Sequence, residues 1–135
     1  TSGTIYVLRS KSDHPMINEN RQLIHKIGVT NGSIEKRIAN ASSDATFLLA
    51  EVEVVASYKL SNINRSKLEN ILHKFFDIAR LKIDIPDRFG KLVSPREWFM
   101  VPLYEIDDAV EKIQDGTIGD YRYDLVSARL KRRKG

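Results

Sequence analysis

The chain has 135 residues, enough for one domain of ordinary size, and its 41% hydrophobic residues with five Phe, five Tyr and one Trp exclude a disordered polymer. The absence of Cys excludes a disulfide framework, a thiolate metal site and a Cys nucleophile, and no apolar run approaches the ~20 residues that cross a bilayer. The net charge is +4, but removing Arg129, Lys131, Arg132, Arg133 and Lys134 leaves 17 basic against 18 acidic residues in 1–128, a net of −1, so the body carries no bulk electrostatic sign of a polyanion partner.

Residues 4–8 (TIYVL) are β-branched, aromatic and unbroken, as in a strand buried on both faces. Residues 11–21 read as a polar loop. A second strand is expected over 23–29, with His25, Ile27 and Val29 on one face and Ile24, Lys26 and Gly28 on the other. Two such strands most simply pair antiparallel. Thr30 to Ser33 offers turn and N-cap residues before a short helix over 34–41, with Glu35 favoured in its first turn. Residues 42–46 form a turn or linker, and 51–60 alternate as a third strand with one wet face.

The longest helix is expected over 63–81, capped by Ser61 or Asn62, with Leu68, Ile71, Leu72, Phe75, Phe76 and Ala79 as its buried stripe. Residues 82–96, broken by Pro86, Gly90 and Pro95, form a long loop. A strand over 97–101 stops at Pro102, and a helix over 105–114 ends at Gly116. Residues 117–135 are expected as a docked tail or a frayed helix. This order predicts a small α+β fold, a mostly antiparallel sheet of three to four strands flanked by helices, with a domain over 1–116 and a basic C-terminal extension over 117–135.

Some polar residues stand where the pattern wants apolar ones or share one helix face. Tyr6 lies mid-strand, Lys26 stands just before Gly28, Arg37 is on the first helix, and Glu69 and His73 are four apart on the long helix. TIYVL at 4–8, HKIGVT at 25–30, Arg37 on the helix that follows, and ENILHKFF at 69–76 resemble, in that order, the GIY-YIG nuclease superfamily. EWF at 97–99 is similar to its phage-type branch, in which KIG stands for YIG. The resemblance covers residues 4–102. Thr4 replaces the first Gly of GIY, and Lys26 replaces the first Tyr of YIG, so the resemblance leaves open whether Tyr6 or Lys26 handles the attacking water.

The resemblance implies a metal-dependent DNA endonuclease. In that reading Glu69 binds one Mg²⁺ or Mn²⁺, Arg37 offers its guanidinium fork to the phosphate, Tyr6 and Lys26 activate water, and His73 is an additional proton shuttle or phosphate contact. Plain structural alternatives stand beside each role. Tyr6 is a core tyrosine, Lys26 snorkels to water, Arg37 is solvated or pairs with Glu35 or Asp44, and Glu69 pairs with Arg65. His73 packs at a helix boundary, Trp98 and Phe99 belong to the core, and Glu97 is either a second carboxylate near the metal or a strand-end salt bridge. The rival functions are a non-catalytic DNA-binding module and a protein-interaction module on the same fold. The expected partners are DNA and further domains of a larger protein, with no membrane, and the expected location is cytoplasmic or nucleoid-associated.

Overall fold

Alternation along two adjacent strands sets the layers of this protein. In the computed structural model, which describes residues 2–134, β1 (Ser2–Ser10) pairs antiparallel with β2 (Ile24–Thr30), and every residue of β2 is buried. Ile5, Val7, Ile27 and Val29 face one side, and Tyr6, Leu8, Ile24 and Lys26 face the other. Two-sided burial of the central strands requires cover on both faces. That cover comes from α3 (Arg65–Phe75) and α4 (Leu103–Gln114) on the first face. On the second it comes from α1 (Pro15–Glu19), α2 (Ile34–Ile38) and two 3₁₀ turns, Ala41–Ser43 and Ala45–Phe47.

The sheet is completed by β3 (Val52–Ser61) beside β1 and by the short β6 (Trp98–Met100) beside β2, giving the order β3-β1-β2-β6 with all pairs antiparallel. The expected α+β architecture with a four-stranded antiparallel sheet is the one found. The main core joins Leu68 and Leu72 of α3, and Phe76 just past its end, to Phe99, Val101 and Ile106 beneath the sheet. His25 is fully buried there and stays neutral. Its Nδ1 donates to the Val101 carbonyl (2.7 Å), its Nε2 accepts from Arg9 Nε (3.1 Å), and burial lowers its pKa.

Several element boundaries differ from expectation, each for a local reason. The 11–21 loop contains α1, whose first turn is capped by His14 and opened by Pro15. The 34–41 helix stops at Ile38, because Asn40, Ser42 and Ser43 favour turns and Asp44 caps the next one through Thr46 N (2.8 Å). The long helix starts after Asn64, whose side chain accepts from Lys67 N (3.0 Å), rather than after Ser61 or Asn62. Ile63 packs into the same core as Leu68, stapling this entry. The helix ends at Phe75 instead of 81 because the chain then tightens and turns to the sheet, where Leu81 N donates to the Trp98 carbonyl (2.8 Å).

The 82–96 loop carries a small hairpin, β4 (Ile85–Pro86) with β5 (Leu92–Val93). The C-terminal segment is neither frayed nor helical beyond one 3₁₀ turn. Instead β7 (Tyr121–Asp124) and β8 (Arg129–Arg132) form a hairpin, with Tyr123 edge-on to Phe76 in the core. The buried Glu105 of α4 accepts from Leu130 N (2.8 Å) and fixes it there. Among the described residues, no helix is long and apolar enough to cross a membrane.

Candidate active site

The site forms where β6 begins, because β2 runs on beyond its partner. The ladder between β2 and β6 ends at Lys26 opposite Trp98, so the next main-chain groups of β2 face outward at a sheet edge. Buried or half-buried backbone polar groups need partners. The Ile27 N–H donates to the Glu97 carbonyl (3.0 Å), and the Ile27 carbonyl accepts from His73 Nε2 (2.8 Å). One residue's backbone therefore holds both a residue of the β6 approach and a residue of α3 at the same edge.

This edge gathers ligating groups. The ligand atoms offered by Glu69, His73 and Glu97 all lie within 4.8 Å of one another, and all three residues are half-buried. A carbonyl can only accept, so the His73–Ile27 bond makes Nε2 the protonated nitrogen and leaves the Nδ1 lone pair available. Metal-ligating histidines are commonly oriented by such a backbone bond from the other ring nitrogen. Arg80 adds support by donating to the carbonyl of His73 (3.3 Å) while pairing with Asp77 (3.0 Å).

Lys26 reaches the same place from the other face of the sheet. Its side chain is fully buried, and its Nζ donates to Glu97 Oε1 at 3.1 Å. It does not snorkel to water. Burial lowers its pKa, and Glu97 opposes that shift by pairing with the ammonium. Lys26 Nζ lies 4.8 Å from the centre of the Phe47 ring, and the Arg37 guanidinium lies 5.2 Å from the same ring. Phe47 thus supports two cations at once. It sits there because Asp44 folds the chain into a 3₁₀ turn, after which Leu48 and Leu49 take left-handed backbone angles and send the chain into β3.

Tyr6 completes the group. It faces Gly28 across the β1–β2 ladder, and its ring lies directly over the glycine. A Cβ at residue 28 would stand 2.2 Å from Tyr6 Cζ and 2.3 Å from its hydroxyl, so the glycine is required by close approach. Burial pushes the phenol up to about 12. The Arg37 guanidinium pulls it back down, while Glu97 and Glu69 push it up. The hydroxyl therefore lies in the field of the same three charged side chains, and it holds its proton at neutral pH. Gly28→Ala is expected to destabilise the fold by about 1–3 kcal/mol through this clash, measurable by urea unfolding.

Of the five residues singled out in the sequence, Lys26, Glu69 and His73 meet at Glu97, Tyr6 lies in the field of Arg37, Glu97 and Glu69, and Arg37 joins Lys26 over the Phe47 ring. Among the described residues, Glu69 makes no ion pair with Arg65, and Arg37 makes none with Glu35 or Asp44. Glu97 forms the salt bridge expected of it, with Lys26, and its carboxylate lies beside the ligand atoms of Glu69 and His73. Phe47 had no signal of a role beyond an apolar run. Trp98 is a core residue as expected, with its Nε1 donating to the Thr46 carbonyl (3.0 Å).

Residues 3–114, which include every residue of this edge, match the T5orf172 domain. The chain belongs to the T5orf172 domain family. T5orf172 domains are phage-associated and nuclease-like. The match ends at the close of α4, ahead of the β7–β8 hairpin. The chain is also 40% identical over 113 residues to the uncharacterized protein YeeC of Bacillus subtilis (strain 168), a stretch covering 84% of this chain and 29% of that protein. This T5orf172 chain thus spans less than a third of the curated relative it matches. No solved structure matches it.

Proposed function

We propose that this T5orf172 domain is a GIY-YIG-type endonuclease that hydrolyses DNA phosphodiester bonds with one bound divalent cation. The observation that carries the reading is the meeting of Glu69, His73 and Glu97 at one sheet edge, with Lys26, Tyr6 and Arg37 around them. Two carboxylates and an imidazole fixed by a backbone bond suit Mn²⁺ or Mg²⁺, with the imidazole favouring Mn²⁺. Glu69, His73 and Glu97 would hold the cation. When bound, such an ion supplies Lewis-acid neutralisation of charge on the phosphoryl and leaving oxygens.

The chain's own groups supply the rest. Arg37, exposed at the end of α2, presents a planar fork matched to two phosphoryl oxygens. Tyr6 keeps its proton at neutral pH and so orients the attacking water by donating a hydrogen bond. Lys26, as the ammonium of the adjoining pair, holds the Glu97 carboxylate in place. That carboxylate accepts the proton of the attacking water as the new P–O bond forms, the P–O bond to the leaving oxygen breaks and the leaving oxyanion takes a proton from solvent. His73 positions itself against Ile27 and carries no step of its own.

The test is incubation of end-labelled DNA with the protein in Mn²⁺ or Mg²⁺ and, in parallel, in EDTA. Discrete shortened products that appear only with the cation support the reading. DNA binding with steep salt dependence and no cation-dependent product would instead identify a binding module.

A further inference from the structure

The β4–β5 hairpin holds an aromatic side chain out into solvent beside this site. Phe89 is 81% exposed, yet it stands on a closely hydrogen-bonded turn. Asp87 Oδ1 accepts from Phe89 N (2.8 Å) and Lys91 N (2.9 Å), Gly90 N donates to the Asp87 carbonyl (2.9 Å), and Gly90 adopts the left-handed angle that closes the turn. The base of the hairpin is anchored by Ile85, buried with Ile17 and Trp98, and by the Ser94–Asp84 bond.

Charge around the ring is mixed, with Arg88 and Lys91 flanking it on the hairpin and Asp44 and Asp87 on the walls of the adjoining cavity. Asp87 is directed into the turn by its bonds to the Phe89 and Lys91 N–H groups, and Asp84 accepts from Ser94 at the base of the hairpin. Arg88 and Lys91 are exposed next to the ring in sequence, the Arg88 guanidinium lies 5.0 Å from the Phe89 ring centre, and Lys82 and Arg96 are exposed at the base of the hairpin beside Asp84. Between the hairpin tip and the segment carrying Asn40, Ser43, Asp44 and Thr46 lies a cavity of about 640 Å³. Thr46 directly precedes Phe47, the ring beneath Lys26 and Arg37. The cavity therefore adjoins the segment that carries Phe47.

We propose that Phe89 stacks on an unstacked nucleobase of the bound strand, with Arg88 and Lys91 on the flanking phosphates, so that the preferred substrate is DNA with a single-stranded or otherwise unpaired segment next to the cut. The inference rests on the nuclease reading for the position of the scissile phosphate. An aromatic face framed by bases is the general platform for single-stranded nucleic acid, because every base offers a π-face.

Binding is measured in EDTA, where cleavage plays no part, by fluorescence anisotropy of a labelled single-stranded oligonucleotide and of its duplex. Phe89→Ala should weaken single-strand binding about tenfold with little effect on the duplex, and should leave thermal unfolding unchanged. Phe89→Trp should bind as tightly as wild type and show indole quenching on saturation with the single strand, whereas wild type, whose Trp98 is buried, should not. Equal single-strand affinity of wild type and Phe89→Ala, or no quenching in Phe89→Trp, overturns the proposal. If either result accompanies normal cation-dependent cleavage by wild type, only the stacking assignment falls. If wild type neither cleaves nor binds at low salt, the nuclease reading falls with it.

Discussion

Replacing Glu97 with Ala is expected to lower the free energy of unfolding by about 3 kcal/mol and to eliminate cleavage. Lys26 is fully buried with Glu97 as its ion-pair partner, and removing one member of a buried pair leaves an uncompensated charge, typically costing about 3–5 kcal/mol. The lower end applies because the Glu97 side chain is 25% exposed and water can enter the space it vacates. Lys26→Met removes the charge while filling the same hydrocarbon path against Phe47, so the double variant Lys26→Met/Glu97→Ala should regain most of the stability and none of the activity. Urea unfolding of the two single variants and the double variant checks the cycle. Wild-type stability in Glu97→Ala would show that Lys26 is paired elsewhere.

Arg37→Ala is expected to leave the fold nearly intact and to reduce single-turnover cleavage about 10²- to 10³-fold, the usual cost of one charge-stabilising donor. The residue is exposed on a helix of five residues, so its main structural contribution is the contact with Phe47, worth about 0.5–1 kcal/mol. Arg37→Lys keeps the charge and loses the planar fork, so it should restore only a small part of the rate. Full rescue by lysine would mean that the position needs positive charge alone.

Period and composition reached those parts of the molecule that depend on neighbours in sequence. The division of β2 into His25, Ile27 and Val29 against Ile24, Lys26 and Gly28 follows from the two-residue repeat of a strand, and the buried stripe of α3 follows from helical spacing. Tyr6, Lys26, Arg37, Glu69 and His73 stand out as polar residues in strands or on helix faces, and the family-like order of their motifs joins them into one set. Glu97 shows where such reading stops. Its partner Lys26 is 71 positions away, and only the register of β6 against β2 decides that its carboxylate meets both an ammonium and α3.

Phe47 was hidden for a different reason. It sits in a 3₁₀ turn followed by two left-handed leucines, a geometry with no period to detect. The two small hairpins were equally illegible. Two-residue strands such as Ile85–Pro86 carry no alternation, and in β8 (RLKR) the single apolar Leu130 between basic residues reads as a solvated tail. The end of α3 is set by tertiary demand, since residues 80 and 81 must bond to β6, which overrides an apolar spacing that would otherwise continue the helix.

The most direct trial of a cation-dependent site built on α3 is relaxation of supercoiled plasmid in Mn²⁺ by wild type beside Glu69→Ala, with both proteins shown to melt alike. Nicked or linear DNA from wild type, and a rate at least about a hundredfold lower from Glu69→Ala, is the expected result. Equal rates from the two proteins would contradict the assignment of this carboxylate and of the site around it.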